Sequence, residues 1–150
     1  MSSKIVKTID LKAPVSRVWQ AITDHREFGN WFRAKIDQPF VVGEVSTGHI
    51  TYPGYEFYKW YARVLKMEHE RYFALEWPNP ADPHAEDYSN DPMTLVEFML
   101  ESIEGGTRLT ITESGFENIP EDRRATAFRD NDGGWTQQMK NIEAHVTHGH

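Results

Sequence analysis

Residues 129 to 141 read RDNDGGWTQQMKN, a glycine pair between two segments that have helical spacing. Phe128, Trp135 and Ile142 lie seven residues apart, which places them on one face of a helix. Two interior glycines would cost a continuous helix about 1 kcal/mol each relative to alanine. We therefore predict one helix over residues 120 to 147 that is kinked or loosened at the glycine pair.

The acidic residues beside these glycines also suggest a calcium-binding loop. An EF-hand loop requires a Glu six residues after its glycine, but the residue at that distance from Gly133 is Met139. We therefore do not expect such a loop. Asp132 falls in the register of the apolar stripe, as do Ala125 and Val146. We predict that Asp132 turns toward the strands that precede the helix; alternatively, it caps a second helix that begins at Gly133.

The chain before this helix consists of alternating, strand-like runs with two short helices near the start. Residues 4 to 11 alternate apolar and polar side chains, and Pro14 begins an amphipathic helix. Asp24 and Glu27 have the D-x-x-E spacing of a helix cap and predict a second short helix. Four further strands are predicted in EFYKWYARVLKM (56–67), RYFALEW (71–77), TLVEFMLESI (94–103) and GTRLTITESGF (106–116).

The composition is that of one globular domain covering residues 1–150. Apolar residues make up 39% of the chain and aromatic residues 13%, which is enough to form a hydrophobic core. The formal net charge of −7 includes no basic block, so we expect neither a nucleic acid nor a membrane as a partner. No run of about eighteen apolar residues occurs, and we expect a soluble, cytoplasmic protein.

The chain lacks the motifs of common cofactor and metal sites. It contains no cysteine, so thiolate catalysis and Cys-type zinc sites are excluded. The glycines between residues 40 and 55 are not followed by Lys-Ser or Lys-Thr, as a phosphate-binding loop would require. His145, His148 and His150 have no acidic partner at a fixed spacing, and we interpret them as a polar tail. We expect no cofactor and no metal.

Three stretches resemble a known family. TIDLKAPVSRVWQAITD (8–24), GGTRLTITESGF (105–116) and GGWTQQMKNIEAHV (133–146) are similar to the START-like superfamily, and within it to the C-terminal domain of the activator of heat shock protein 90 ATPase. The resemblance implies an α+β helix-grip fold. In that fold a curved antiparallel sheet wraps around a long C-terminal helix, two short helices follow the first strand, and a cavity lies between sheet and helix.

The large side chains that are predicted to face the implied cavity are candidate ligand contacts. An aromatic cage for a ligand is one interpretation of this set, and ordinary core packing is the alternative. The candidate ligand-binding residues are Trp31, Tyr52, Tyr58, Trp60, Trp77, Phe98, Glu113, Asp132, Trp135 and Met139.

Glu113 is the acidic residue predicted on the inner face of the sheet. It would be a general base in an enzyme. If the helix returns along the last strand, however, Arg123 or Arg124 lies level with Glu113. A structural ion pair is therefore at least as good an interpretation of Glu113 as a catalytic role. The same comparison of helix and strand rise places Asp132 farther along the last strand than Glu113. We therefore do not expect Glu113 and Asp132 to form a catalytic carboxylate pair.

The segment PNPADPHAEDYSNDP, residues 78 to 92, contains four prolines and four acidic residues. Such a composition does not form regular structure, and long loops in small domains are often mobile or functional. We interpret the segment either as a solvated connection or as a lid that closes over a ligand.

Three functional classes follow from these features. We favour the binding of a small hydrophobic or aromatic molecule by a sensor, carrier or sequestering protein. The resemblance also allows a co-chaperone that acts on an Hsp90-type ATPase, or an enzyme similar to the START-like cyclases and aromatases. A homodimer is a further possible assembly, through apolar residues on the face opposite the core: Phe57, Tyr61, Leu95 and Met99.

Overall fold

The structure, a computed structural model, describes residues 4 to 148 and the side chains up to residue 147. Seven strands and three α-helices follow one another along the chain, with one 3-10 turn before the last helix. Their bounds are β1 (Ile5–Leu11), α1 (Val15–Thr23), α2 (His25–Phe32), β2 (Ala34–Ile36), β3 (Val45–Ile50), β4 (Lys59–Glu68), β5 (Tyr72–Pro78), β6 (Met93–Ile103), β7 (Gly106–Ser114), the 3-10 turn (Phe116–Asn118) and α3 (Glu121–His148).

The strands form one antiparallel sheet in the order β1-β7-β6-β5-β4-β3-β2. The first strand therefore pairs with the last, and β2 lies at the opposite edge. The long helix α3 packs against the face of the sheet that carries the core, which confirms the predicted α+β helix-grip fold. None of the helices in the described chain is both long and apolar enough to cross a membrane.

Helix α2 begins after the cap residue that the sequence predicted. Asp24 accepts hydrogen bonds from the backbone N–H groups of Arg26 and Glu27, so it caps α2 as predicted. Arg33 ends α2 in the left-handed conformation, with φ of 71°, and its carbonyl accepts from Thr51 N–H at 2.9 Å. This turn leads directly into the edge strand β2.

The inner face of the sheet has the alternation that the sequence predicted. Phe73 and Leu75 of β5 are buried, as are the predicted inward residues of β4, β6 and β7. Gly105 has φ of 81° and forms the turn of the β6–β7 hairpin, where a residue with a Cβ would be strained. The inward set of the other strands is Trp60, Ala62, Val64, Val96, Phe98, Leu100, Leu109, Ile111 and Glu113.

Helix α3 is continuous through Gly133 and Gly134, so the prediction of one long helix is confirmed. The alternative of a second helix beginning there is wrong, because every residue from Glu121 to His148 is α-helical and the helix is not interrupted at the glycines. A kink at the glycine pair stays a prediction. Both glycines are exposed, and a Cβ atom at either would meet nothing within 4 Å. They therefore do not serve a close approach between helix and sheet.

Candidate functional site

A cavity of about 330 Å³ opens between the ends of β4 and β5, the β3–β4 connection, the last turn of α2 and the middle of α3. We call it the aromatic cavity, because eight of its thirteen lining residues are Phe, Trp or Tyr. Its size falls within the usual range of small-molecule sites. The lining consists of Phe32, Ile50, Tyr52, Tyr55, Tyr58, Lys59, Trp60, Tyr61, Trp77, Pro78, Asn79, Tyr88 and Asn131.

Three aromatic rings from three elements form the inner wall of the aromatic cavity. The ring of Phe32 in α2 lies 5.2 Å from Trp60 in β4 and 5.7 Å from Trp77 in β5, measured between centroids. Trp60 and Trp77 meet at 6.0 Å with an angle of 85° between their planes. Such edge-to-face contacts stabilise one another and hold the rings in fixed positions. The wall is therefore built before any ligand arrives.

Residues 79 to 92 cover one side of the aromatic cavity and are anchored by Tyr88, which is 1% exposed. The Tyr88 hydroxyl donates to the carbonyl of Pro83 and accepts from the N–H of Lys59 at 3.4 Å. The Lys59 ammonium group donates to the carbonyl of Ala85 at 2.5 Å. Tyr88 and Lys59 therefore anchor this segment to β4, while most of its other side chains are exposed.

Glu113 is completely buried, and four neutral side chains donate hydrogen bonds to its carboxylate. Trp77 Nε1, Thr94 Oγ1 and Asn131 Nδ2 lie 2.9, 2.6 and 3.0 Å from Oε2. Trp135 Nε1 lies 2.9 Å from Oε1. A buried carboxylate requires such partners, since it would otherwise lose its hydration without compensation.

The predicted ion pair of Glu113 with Arg123 or Arg124 is wrong. Arg123 donates to the carbonyl of Asn79, and Arg124 donates to the backbone carbonyl of Ile119 before α3. The prediction assumed that the first turns of α3 lie level with Glu113. Instead, Asn131 and Trp135, two to three turns farther along α3, reach its carboxylate. The four neutral donors take the place of a cation.

Glu113 does not line the aromatic cavity but holds the groups that do. Asn131 Nδ2 lies 3.0 Å from Glu113 Oε2 and 3.1 Å from Asn79 Oδ1, so one amide contacts both the buried carboxylate and the cavity wall. Trp77, another cavity residue, donates to the same carboxylate oxygen. The carboxylate is thus a positioning group behind the wall, and its place gives no support to a role as general base.

Asp132 turns toward the strands, as predicted, but it reaches the edge strand β1 and not Glu113. Its carboxylate lies 3.0 Å from Lys7 Nζ on β1, and its side chain is 44% exposed. The residue that faces Glu113 is Asn131, four positions before Trp135. The seven-residue spacing used for the prediction drifts by about 20° per repeat on a straight helix. Ala125, in the same predicted register, is likewise exposed.

The structure brings together four of the ten predicted ligand residues. Tyr52, Tyr58, Trp60 and Trp77 line the aromatic cavity. Glu113 and Trp135 lie behind its wall, where Trp135 is 2% exposed. The remaining predicted residues lie elsewhere: Phe98 and Met139 are in the core, Trp31 donates to the carbonyl of Ala21 beside another groove, and Asp132 pairs with Lys7.

Tyr58 places a hydroxyl group in the lining of the aromatic cavity. Burial, followed by the nearby Tyr88 and the charge of Asp91, raises the pKa of Tyr58 to about 12. Its ring meets that of Tyr88 at 5.7 Å. Among residues 4 to 147, no side chain or backbone group forms a hydrogen bond with the Tyr58 hydroxyl. A neutral phenol in this position can donate to a ligand or accept from one.

Nine of the thirteen cavity residues were missed as site residues from the sequence, among them Phe32, Asn79, Tyr88 and Asn131. A single large aromatic residue inside an otherwise polar loop was the available signal for Tyr88. A helical period of 3.6 counted back from Trp135 points to Asn131. We find no signal in the sequence for Asn79, whose neighbours are prolines.

His145 is not part of a polar tail. Its side chain is 10% exposed, and Nε2 lies 2.8 Å from Glu27 Oε1, while Arg17 donates to the same oxygen at 2.6 Å. Burial acts to raise the pKa of Glu27, but these two hydrogen bonds and positive charges hold the pKa below its ordinary value. The side chain of His148 and all of His150 lie outside the described residues.

The apolar residues proposed for a homodimer are not equivalent in the structure. Met99 is 47% exposed on the outer face of the sheet. Phe57 is partly covered by His84, whose ring stacks on it at 4.0 Å. Tyr61 lines the aromatic cavity, and Leu95 is half-buried.

Comparisons with known proteins agree with this fold. A family model described as "Activator of Hsp90 ATPase homolog 1-like protein" matches residues 12–147. No curated protein sequence matches the chain.

Solved structures of low sequence identity share the architecture. A protein from Arthrobacter aurescens has a TM-score of 0.79 at 19% identity, over 96% of this chain and 86% of that one. Protein MLL2253 from Mesorhizobium loti has a TM-score of 0.74 at 22% identity, over 93% of both chains. The Aha1 dimer from Colwellia psychrerythraea has a TM-score of 0.70 at 20% identity, over 99% of this chain and 98% of that one.

The family match covers most of the chain, and the structural similarities extend over nearly all of it. At these identities the solved structures establish the fold alone. The chain belongs to the activator of Hsp90 ATPase homolog 1-like family, within the START-like superfamily.

Proposed function

We propose that this protein binds a small aromatic molecule in the aromatic cavity and acts as a sensor, carrier or sequestering protein. The observation that carries the proposal is the Tyr58 hydroxyl, which is surrounded by aromatic rings and has no hydrogen-bond partner among the described residues. An apolar cavity with few polar groups is the usual form of a small-molecule site.

The arrangement of the wall supports a flat ligand with one polar atom. The ring edges and faces of Phe32, Trp60 and Trp77 offer stacking surfaces, and Tyr58 offers a hydrogen bond. Because Glu113 holds Trp77 and Asn131 in place, little side-chain freedom is lost when a ligand binds. The ligand therefore requires a ring system and a hydroxyl, carbonyl or similar group at its edge.

Native mass spectrometry of the protein purified from its source cell tests this function. We expect a bound organic molecule that leaves unchanged when the protein is denatured and that is depleted in the Tyr58→Phe variant. Met99→Ala, on the outer face of the sheet, is the control and should retain the molecule. Release of a chemically altered product during incubation would instead identify an enzyme.

A second candidate function is the regulation of an Hsp90-type ATPase. Family membership and the similarity to the Aha1 dimer support it, together with the exposed apolar Met99 on the outer sheet face. A cytoplasmic location suits both functions. If purified protein carries no small molecule and stimulates the ATPase activity of an Hsp90-type chaperone, this second function replaces the first.

A further inference from the structure

The tryptophans of the aromatic cavity have no N–H group to offer a ligand, because hydrogen bonds within the protein already use both. Trp60 Nε1 donates to Ser46 Oγ at 2.9 Å. Trp77 Nε1 donates to Glu113 Oε2 at 2.9 Å. The indole rings therefore contribute apolar surface to the cavity, and a polar contact with a ligand has to come from other residues.

Asn131 presents a free acceptor atom. Its side-chain nitrogen, Nδ2, lies 3.0 Å from Glu113 Oε2 and 3.1 Å from Asn79 Oδ1, so both of its N–H groups are used. Its carbonyl oxygen, Oδ1, has no hydrogen-bond partner among residues 4 to 147, and it is not buried. Because Asn131 lines the aromatic cavity, this oxygen is an acceptor that a ligand can reach.

The orientation of the Asn131 amide is fixed by a chain of hydrogen bonds that begins at Glu113. The hydroxyl of Thr94 donates its single hydrogen to Glu113 Oε2 at 2.6 Å, so it accepts from Asn79 Nδ2 at 3.0 Å. Asn79 therefore turns its oxygen toward Asn131. A reversed Asn131 amide would place its oxygen against two acceptors, the Asn79 oxygen and the Glu113 carboxylate. The network thus keeps the oxygen of Asn131 as the atom that is left for a ligand.

The acceptor of Asn131 discriminates between ligands, whereas the hydroxyl of Tyr58 does not. A phenol either donates or accepts, so Tyr58 suits a ligand of either kind. A ligand without a donor would exclude water from Asn131 Oδ1 and leave this oxygen unpaired. An unpaired polar atom is costly, and a site that is built to hydrogen-bond one group rejects analogues that lack it.

Lys59 is the one charged residue in the cavity lining. Its Nζ donates to the carbonyl of Ala85 at 2.5 Å and lies 5.3 Å from the centre of the Tyr88 ring. These contacts make Lys59 part of the anchor of residues 79 to 92. We therefore expect the selective polar contact to come from Asn131 and not from Lys59.

We propose that the aromatic cavity selects flat ligands that carry a hydrogen-bond donor, such as a phenol, an aromatic amine or an indole, and that Asn131 Oδ1 is the acceptor that selects them. Glu113 is a positioning residue in this selection, because it does not line the cavity but fixes which end of the Asn131 amide is free. The inference rests on the proposed binding of a small aromatic molecule. It narrows the ligand from a ring system with any polar edge to one with a donor.

Titrations with four naphthalenes that differ in a single substituent test the proposal. 1-Naphthol and 1-naphthylamine carry a donor, 1-fluoronaphthalene is close to them in size but has none, and the oxygen of 1-methoxynaphthalene only accepts. Quenching of tryptophan fluorescence gives each Kd. The two donor ligands should bind at least about fivefold more tightly than the other two. Apolar burial alone would favour 1-methoxynaphthalene over 1-naphthol, because it has an additional methyl group.

Variants show which residue is responsible for the preference. Asn131→Leu keeps the approximate size of the side chain and should reduce the preference for donors to less than about twofold. Asn131→Ala, with a better helix former, is a second variant with the same expected result. Asn30→Leu makes the same exchange at an exposed position of α2 outside the cavity and should keep the preference. Tyr58→Phe should also keep it, since Tyr58 can donate to 1-naphthol and 1-methoxynaphthalene alike.

The outcomes that overturn this inference differ from those that overturn the proposed function. Saturable binding of all four naphthalenes with equal affinity would contradict the selection of donors and leave the proposed function intact. The absence of saturable binding for every one of them would contradict both. A preference that is lost in Tyr58→Phe and kept in the Asn131 variants would make Tyr58 the acceptor. Tighter binding of 1-naphthoate, which only accepts, than of 1-naphthol would assign the polar contact to Lys59.

Discussion

The indole rings of Trp77 and Trp135 stack on each other, with centroids 5.5 Å apart and an angle of 13° between their planes. Each donates its N–H to a different oxygen of the Glu113 carboxylate. Trp77 belongs to β5, Glu113 to β7 and Trp135 to α3. One buried carboxylate therefore joins two strands of the sheet to the long helix, directly behind the aromatic cavity.

We expect the hydrogen bonds to the Glu113 carboxylate to stabilise the fold. In Glu113→Gln, one side-chain oxygen can still accept, but the new NH₂ group faces donors and leaves at least one of them without a partner. We expect the free energy of unfolding to fall by about 2 to 3 kcal/mol. Urea denaturation measures this change. Glu101→Gln, whose side chain is 68% exposed, is the control and should change stability by less than about 0.5 kcal/mol. Equal stability of Glu113→Gln and wild type would contradict the described network.

Replacement of the exposed glycines of α3 should increase the free energy of unfolding, whereas the change at Glu113 decreases it. Because a Cβ at Gly133 or Gly134 meets nothing within 4 Å, alanine at either position should raise the free energy of unfolding by up to about 1 kcal/mol. Gly29→Ala is the contrasting variant, since its Cβ would lie 2.2 Å from the carbonyl oxygen of Ala34, and it should destabilise the fold. Thermal or urea unfolding of the three variants checks both signs. A loss of stability at Gly133 or Gly134 would show that α3 needs glycine there.

The carboxylate of Glu27 gives a prediction about pH. Its folded-state pKa is lower than the ordinary value of 4.5, since the hydrogen bonds and charges of His145 and Arg17 outweigh the effect of burial. Ionised Glu27 therefore stabilises the fold above pH 4.5, and this contribution is lost as the pH falls through the lower folded-state pKa. Glu27→Gln should be less stable than wild type near neutral pH, and the difference should shrink in acid.

Urea unfolding over a series of pH values measures this difference. Glu104→Gln, at an exposed position in the β6–β7 hairpin, is the matched control and should follow the wild-type curve. A difference between Glu27→Gln and wild type that stays constant with pH would rule out a contribution from ionised Glu27.

The anchoring of residues 79 to 92 by Tyr88 is testable by hydrogen exchange. We expect Tyr88→Ala to speed the exchange of amides between residues 81 and 91, because the hydroxyl and ring contacts of Tyr88 are lost. Tyr55→Ala, at a cavity position that is 56% exposed, should leave that exchange unchanged. If the segment closes over a ligand, a bound aromatic molecule will slow the same amides in wild type. Unchanged exchange in Tyr88→Ala would show that the anchor is unimportant.

The fold was predictable because its elements follow from short periods in the sequence. Alternation placed Leu109, Ile111 and Glu113 on one face of a strand, and the cap residue Asp24 fixed the start of α2. These signals are local, since they depend on residues a few positions apart. The family resemblance then supplied the arrangement of sheet and helix.

The candidate site was less predictable because it depends on contacts between distant residues. Whether Asn131 or Asp132 faces Glu113 is decided by a rotation of about 100° on the helix, which a seven-residue repeat does not resolve. The partners of Glu113 come from β5, β6 and α3, and no local pattern relates these segments. Tyr88 lies in a loop whose composition indicates solvent exposure, yet it is almost completely buried.

Titration of the protein with 1-naphthol, followed by the quenching of tryptophan fluorescence, tests the proposed function most directly. The account predicts saturation at one site, because Trp60 and Trp77 line the aromatic cavity. Tyr58→Phe should weaken binding about three- to tenfold through the loss of one hydrogen bond. Met99→Ala, on the outer face, should bind as wild type does. Quenching that rises without saturation, or equal affinities for Tyr58→Phe and Met99→Ala, would contradict ligand binding in this cavity.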